Sequence, residues 1–195
     1  MKNFFIYFII SIAVLLSACD PDPNNSNGVT PELTPPQSSA PTDANMVDSE
    51  KISTFETVLV DKQKDRLENV LLASSACNGT IIRPGEEFSF NETVGERTTK
   101  RGYKKAYIFV GKKKEKGVGG GICQVSSTIY NAALDADLEV TERHEHSQKV
   151  TYIELGKDAT VSDSLDLKFK NTLDYAVKME VTATEGYVAV NMYKI

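Results

Sequence analysis

Apolar and polar positions divide the chain into three stretches of different character. Positions 4–16 are apolar apart from Ser11. Positions 20–50 hold no aromatic residue and no apolar periodicity. From 61 to 77 the residues Leu67, Val70, Leu71 and Cys77, with small Ser74 between, recur at helical spacing, and Asn78-Gly79 supplies a stop. Pro84-Gly85 marks a turn, and 88–91 reads as a short strand. Residues 107–110 are β-rich, with the charged stretch 111–117 as the tip that follows. A second helix is predicted over 123–135, with Ile122, Val125, Ile129, Ala132 and Ala133 on one face. Beyond it the pattern alternates: Leu138 and Val140; Val150 and Tyr152; Leu165, Leu167 and Phe169; Val177, Met179 and Val181; Val188, Val190 and Met192. Alternation of this kind marks half-buried antiparallel strands. Two helices on a mostly antiparallel sheet make an α+β domain over 51–195, long enough for one core.

The first stretch is too short for a bilayer span, which needs about 20 residues. With Lys2 before it and small residues after it, the stretch has the order of a secretory signal. Leu16-Ser17-Ala18-Cys19 resembles a lipobox, so residues 1–18 are expected to be removed and the Cys19 thiol to carry lipid. The chain is then extracytoplasmic and held to the membrane through Cys19. Six of the seven prolines fall within 20–50, among Asn, Ser, Thr and Asp. So polar a stretch cannot offset its chain entropy by burial, and 19–50 is expected to act as an unfolded tether.

Charge changes the picture once it is divided the same way. The net charge is −5. Lys2 is the only base before residue 51, and six of the 27 acids lie within 20–50, so 51–195 carries 21 of each sign. Within that neutral domain nine bases crowd 97–116 against Glu115 alone: Arg97, Lys100, Arg101, Lys104, Lys105, Lys112, Lys113, Lys114 and Lys116. Such a field attracts anions, and Arg97 and Arg101 are the candidate substrate contacts. An exported protein has no nucleic-acid partner.

The densest chemical signal is Gly119-Gly120-Gly121-Ile122-Cys123-Gln124-Val125-Ser126-Ser127. Three glycines before a helix give a sharp turn and unobstructed amides. Cys123 falls in the first helical turn, where the dipole favours thiolate. The amides of Gly119, Gly120 and Gly121 could hold an oxyanion. A thiolate nucleophile needs a base and an orienting group. The two histidines, His144 and His146, sit in Glu142-Arg143-His144-Glu145-His146-Ser147, where strand alternation would put both on one face. Asp158 is the candidate third member. One Cys and two His at this spacing match no standard zinc pattern, so no metal and no cofactor are expected. Cys77, on the apolar face of the first helix, reads as a small buried hydrophobe. A Cys77–Cys123 disulfide suits an exported protein but would remove Cys123 from its helix-start role.

Longer motifs then resemble the VanW family. They are Pro84-Gly85-Glu86 with Phe88-Ser89-Phe90-Asn91, Val94-Gly95 with Arg97, and Gly102-Tyr103. The glycine–cysteine run with Tyr130-Asn131-Ala132, Glu142-Arg143-His144 with His146-Ser147, Asp158-Ala159-Thr160-Val161 and Asp166-Leu167-Lys168-Phe169-Lys170-Asn171 complete the match. The resemblance spans roughly 66–179. It implies a cell-envelope protein associated with vancomycin resistance, and an activity like that of L,D-transpeptidases acting on peptidoglycan stem peptides. Carried over, the nucleophile is Cys123 and the base His146, with Gln124, Ser126 and His144 beside Arg97 and Arg101 as substrate contacts. With water in place of an acceptor amine the same chemistry would be that of a peptidoglycan peptidase, and the alternative from another class is a non-catalytic wall- or glycopeptide-binding accessory protein.

Overall fold

The computed structural model describes residues 49–111 and 113–195. The expected signal segment, Cys19 and all but the end of the tether lie outside the described residues.

The fold is α+β, as the patterning predicts, with three antiparallel sheets and three helices. It opens with β1 (Glu50–Val58), followed by α1 (Lys64–Cys77), β2 (Thr80–Ile82), β3 (Glu87–Ser89) and the short α2 (Phe90–Val94). Next come β4 (Lys105–Val110), β5 (Lys113–Val118), α3 (Ile122–Asp135), β6 (Glu139–Glu142), β7 (Lys168–Lys170), β8 (Val177–Ala183) and β9 (Tyr187–Lys194). The main sheet runs β1-β9-β8-β2, a second runs β3-β7-β6, and β4 and β5 form a separate ribbon.

Both long helices pack on the main sheet and on each other, α1 against β8 and α3 against β1 and β9. Val177, Met179, Val181, Val188, Val190 and Met192 are the buried face of β8 and β9, and Val125, Ile129 and Ala132 meet it from α3. At about 25 cal/mol per Å² of apolar surface, this interface is the main stabilising term of the domain.

Strand β1 is absent from the sequence reading. Its inward positions are Ser53, Phe55 and Thr57, so its buried face is mainly hydroxylic. Ser53 Oγ donates to the Ala132 carbonyl (2.7 Å) and Thr57 bonds Thr128 Oγ1 (2.8 Å). These bonds replace water on burial, and a hydrophobicity pattern does not register them.

Several local expectations change. Residues 88–91 are not one strand. Pairing with β7 stops at Ser89, whose hydroxyl caps α2 by accepting the Glu92 N–H (3.1 Å). The charged stretch after β4 is no loose tip, because Lys113–Val118 pairs along the whole of β4. Helix α1 buries Arg66 and Asn69 and leaves Leu71 largely exposed. Finally, β6 ends at Glu142, so His144 and His146 lie beyond any strand. Val150 and Tyr152 likewise fall in an irregular segment, held by side-chain packing without a ladder.

Candidate active site

The site forms where the start of α3 meets the irregular segment 143–161. Gly120 passes so close to β4 that a Cβ would lie 2.7 Å from the Ala106 carbonyl and the Tyr107 oxygen. Gly121 has φ +104°, and a Cβ there would meet Arg66 Cγ at 2.7 Å. Asn69, fully buried on α1, fastens this loop: its Nδ2 donates to the Lys104 and Gly120 carbonyls and its Oδ1 accepts the Lys104 N–H. The glycines thus let α3 start against the ribbon and α1 without a side chain intervening.

Their amides are not equivalent. The Gly119 N–H donates to Lys104 O (3.0 Å) and is already spent. Among the described residues, the N–H groups of Gly120, Gly121 and Cys123 make no such bond, whereas the Ile122 N–H donates to Gly119 O (3.3 Å).

Cys123 lies in the first turn of α3, half-buried, and its thiol donates to the Val161 carbonyl (3.5 Å). Hydroxyls on α3 hold the facing segment in place. Ser126 Oγ donates to Ala159 O (2.7 Å), while Ser127 Oγ accepts the Ala159 N–H (2.9 Å) and donates to Cys123 O (2.6 Å). Asn131 adds a bond to Lys157 O (2.6 Å). These contacts set Asp158 beside the helix. Asp158 Oδ2 accepts both the main-chain N–H and the ring Nδ1 of His146, each at 2.6 Å.

The structure therefore joins His146 to Asp158 and leaves Cys123 near enough for its charge to act on the imidazole, while the thiol itself is bonded to Val161 O. Burial, the largest influence on the imidazole, pushes it down, but hydrogen bonding and charge from Cys123, then from Asp158, outweigh it and leave His146 raised. Burial likewise pushes Asp158 up, yet the two bonds from His146 hold it below the usual carboxylate range. With Nδ1 occupied by Asp158, the other ring nitrogen is the one left for the sulfur. Cys77 is buried and, like Cys123, a free thiol; burial pushes it up to about 12.

The remaining expected contacts have other placements. Gln124 is buried, and its amide is consumed by Arg66, Thr57 and the Val58 carbonyl. Ser126 is fully buried and holds the backbone, as above. Neither offers a polar group to a ligand. His144 is bonded to Glu142 (2.9 Å). Arg97 bonds Asn91 Oδ1 (2.9 Å) and Ser162 O (3.1 Å), bracing the loop beyond Val161. Arg101 turns back to Glu96 O (2.9 Å) and is exposed.

Three site residues escape the sequence reading. Arg143 spans the segment, donating to Asp158 O (2.7 Å), Gly156 O (3.0 Å) and Asp158 Oδ1 (3.1 Å). Arg66 projects from α1 with its charge near Cys123 and Tyr152. Tyr152 lies edge-on to His146, ring centroids 6.4 Å apart. Arg143 could have been singled out from Glu142-Arg143-His144. Nothing local distinguishes Tyr152 from an ordinary apolar position. A concavity of about 160 Å³, walled by His146, Asp158, Val150 and Ile153, adjoins the site. A larger one of about 380 Å³ over Leu71, Leu72 and Gly102 touches none of these residues.

Comparison with known proteins agrees with the motifs. The family model described as "VanW like protein" matches residues 65–193. An uncharacterized protein of Bacillus subtilis (strain 168), YoaR, is 36% identical over 148 residues, covering 75% of this chain and 49% of its own. The vancomycin B-type resistance protein VanW of Enterococcus faecalis (strain ATCC 700802 / V583) is 32% identical over 126 residues, covering 62% of this chain and 46% of its own. The chain thus spans about half the length of these relatives. No solved structure gives a significant match. With the family model covering nearly all of the folded domain, the site included, this chain belongs to the VanW family.

Proposed function

We propose that the protein is a cysteine-dependent acyltransferase of the cell envelope, acting on peptidoglycan stem peptides in the manner of an L,D-transpeptidase. The observation that carries this reading is the Cys123–His146–Asp158 arrangement at the start of α3. In it a thiol, a base and an orienting carboxylate meet beside unpaired backbone amides.

Transfer of the thiol proton to His146 gives a thiolate beside an imidazolium, which Asp158 stabilises. The sulfur bonds to the carbonyl carbon of the peptide bond to the terminal D-alanine, and the π electrons move to oxygen. Amides of Gly120, Gly121 and Cys123 face that charge. On collapse the C–N bond breaks and the amine takes the proton from His146, leaving a thioester on Cys123. An amine from a second stem then attacks the thioester, gives its proton to His146 and releases the sulfur. Lipid on Cys19 would keep the domain at the outer face of the membrane, within reach of the wall.

The test is to incubate the full chain and its Cys123→Ala variant with defined muropeptides and follow products by mass spectrometry. D-alanine release and a new cross-link in the wild type alone are expected. Neither product, across several stems, would sink the proposal.

A second reading, a non-catalytic wall-binding accessory, draws on the ribbon. Tyr107 and Phe109 are exposed there, and Lys114 Nζ lies 4.4 Å from the Tyr107 ring centroid. Wall-fragment binding undiminished in Cys123→Ala, with no turnover by either protein, would favour it.

A further inference from the structure

Tyr152 has a hydroxyl that the fold does not use. The Oη atom is buried and, among the described residues, has no hydrogen-bond partner. A buried hydroxyl left unpaired costs about 1–3 kcal/mol, so such groups are rare without a reason. Its neighbours are the reacting groups: the ring stands edge-on to His146, and the hydroxyl is close enough to Cys123 and Arg66 for their charges to interact. Ser127, which also borders it, has its own hydroxyl committed to Cys123 O and to the Ala159 amide. Ser127 Oγ keeps one lone pair and is the neighbouring acceptor, yet it makes no hydrogen bond to the phenol in the resting site.

We infer that Tyr152 is a catalytic residue whose O–H donates to the oxyanion formed when the Cys123 sulfur adds to a carbonyl, completing the hole begun by the backbone amides. This deepens the acyl-transfer reading and rests on it. The group suits the task because burial, then the charge of Cys123, raises it, so it stays a neutral donor throughout the working range. Its donor direction is unfilled in the resting site and becomes filled only when negative charge develops on the oxygen. An interaction gained in that way lowers the barrier without tightening ground-state binding.

The experiment compares two reactions of Cys123 in the full chain, wild type and Tyr152→Phe, each resolved by peptide mass mapping. Acetylation by p-nitrophenyl acetate forms the S–C bond through a tetrahedral oxyanion and expels p-nitrophenolate. Alkylation by iodoacetamide displaces iodide and forms no oxyanion. Acetylation should slow by about 10²-fold in Tyr152→Phe. Alkylation should stay at the wild-type rate, and the melting temperature should hold or rise, since the lost hydroxyl had no partner and its burial was a cost. Equal acetylation in both proteins would overturn the inference. So would a parallel fall of both reactions, or a variant that does not fold, because the ring or hydroxyl would then be structural. The probe contains no wall peptide, so the two readings part cleanly. Cys123 that acetylates in a Tyr152-dependent way yet ignores muropeptides would refute only the substrate class. Wild-type Cys123 acetylating no faster than free cysteine would refute both.

Discussion

Asp158 accepts two hydrogen bonds from one residue, His146: the main-chain N–H and the ring Nδ1–H reach the same carboxylate oxygen at 2.6 Å. The double contact fixes both the ring's orientation and its tautomer, because Nδ1 must carry the proton it donates. Asp158→Asn should therefore leave the fold largely intact and cut acyl transfer by about 10²- to 10⁴-fold, the scale on which an orienting carboxylate matters in comparable triads. Steady-state rates with muropeptide, set beside far-ultraviolet circular dichroism, would check this. Undiminished rates would remove Asp158 from the mechanism.

The raised imidazole predicts a charge preference. His146 keeps its proton above the ordinary histidine value of about 6.5, so a positive charge persists beside the sulfur until the pH passes the raised value. Anionic iodoacetate should outpace neutral iodoacetamide at Cys123 below that point and lose its advantage as pH rises through it. His146→Gln should abolish the preference. Cys77, pushed up to about 12 by burial, should react with neither reagent until the domain unfolds.

Arg143 holds the segment that carries Asp158. Its side chain is 17% exposed and Asp158's is 6% exposed, so the ion pair is poorly screened. Arg143→Ala would strand the Asp158 carbonyl and remove one of the partners of a buried carboxylate, and should cost about 2–4 kcal/mol in urea unfolding. Arg143→Lys should recover only part of this, since an ammonium cannot reproduce the guanidinium fork. A loss below about 0.5 kcal/mol would mean that the segment is held by other contacts.

Gly120 and Gly186 make an internal comparison. A Cβ at Gly120 would press on backbone atoms of β4 at 2.7 Å, whereas one at Gly186 would find its nearest contact at 3.7 Å. Gly120→Ala should destabilise by about 1–3 kcal/mol, as overpacking does, and slow every reaction of Cys123 by shifting the start of α3. Gly186→Ala should be close to neutral. Thermal melts and alkylation rates together would show whether the approach is as tight as drawn.

Acid should weaken the domain through two carboxylates. His144, then Lys168 and the Asp166 N–H, hold Glu142 down to about 2, and His146 keeps Asp158 low. A depressed carboxylate stabilises fully above its unfolded value and loses that contribution as pH falls through its folded one. The raised His146 has the opposite sign: its contribution is complete below the ordinary histidine value and fades as pH rises past the raised one. Stability should thus decline from about pH 5 downward, and Glu142→Gln should flatten that decline. An unchanged slope in the variant would contradict the assignment.

Several elements were legible in the chain because each rests on local rules. The periodicity of α3, the alternation of β8 and β9, and the glycines that end in a helix-start cysteine are set by neighbours a few residues apart. Strand β1 was not legible, since its inward Ser53 and Thr57 are satisfied by α3 hydroxyl and carbonyl groups some 70 or more residues away. Alternation puts His144 and His146 on one strand face, but β6 stops at Glu142, short of both. His146 is positioned by Asp158 and the α3 hydroxyls, contacts across the chain that strand periodicity does not encode.

Local patterning by itself determined the α+β class, the C-terminal ends of the two core helices and the place of Cys123 in the first turn of α3, while α1 starts at Lys64, three residues later than its pattern suggests. Backbone preferences and apolar spacing act over a few residues and leave their record there. Only the tertiary structure decided which histidine pairs with Asp158 near the sulfur, that Gln124 and Ser126 are buried supports, and that Arg66 and Tyr152 lie near enough to the thiol for charges to interact. Those outcomes depend on which hydrogen bonds are left to be made once the segments have packed, and packing is a property of the whole domain.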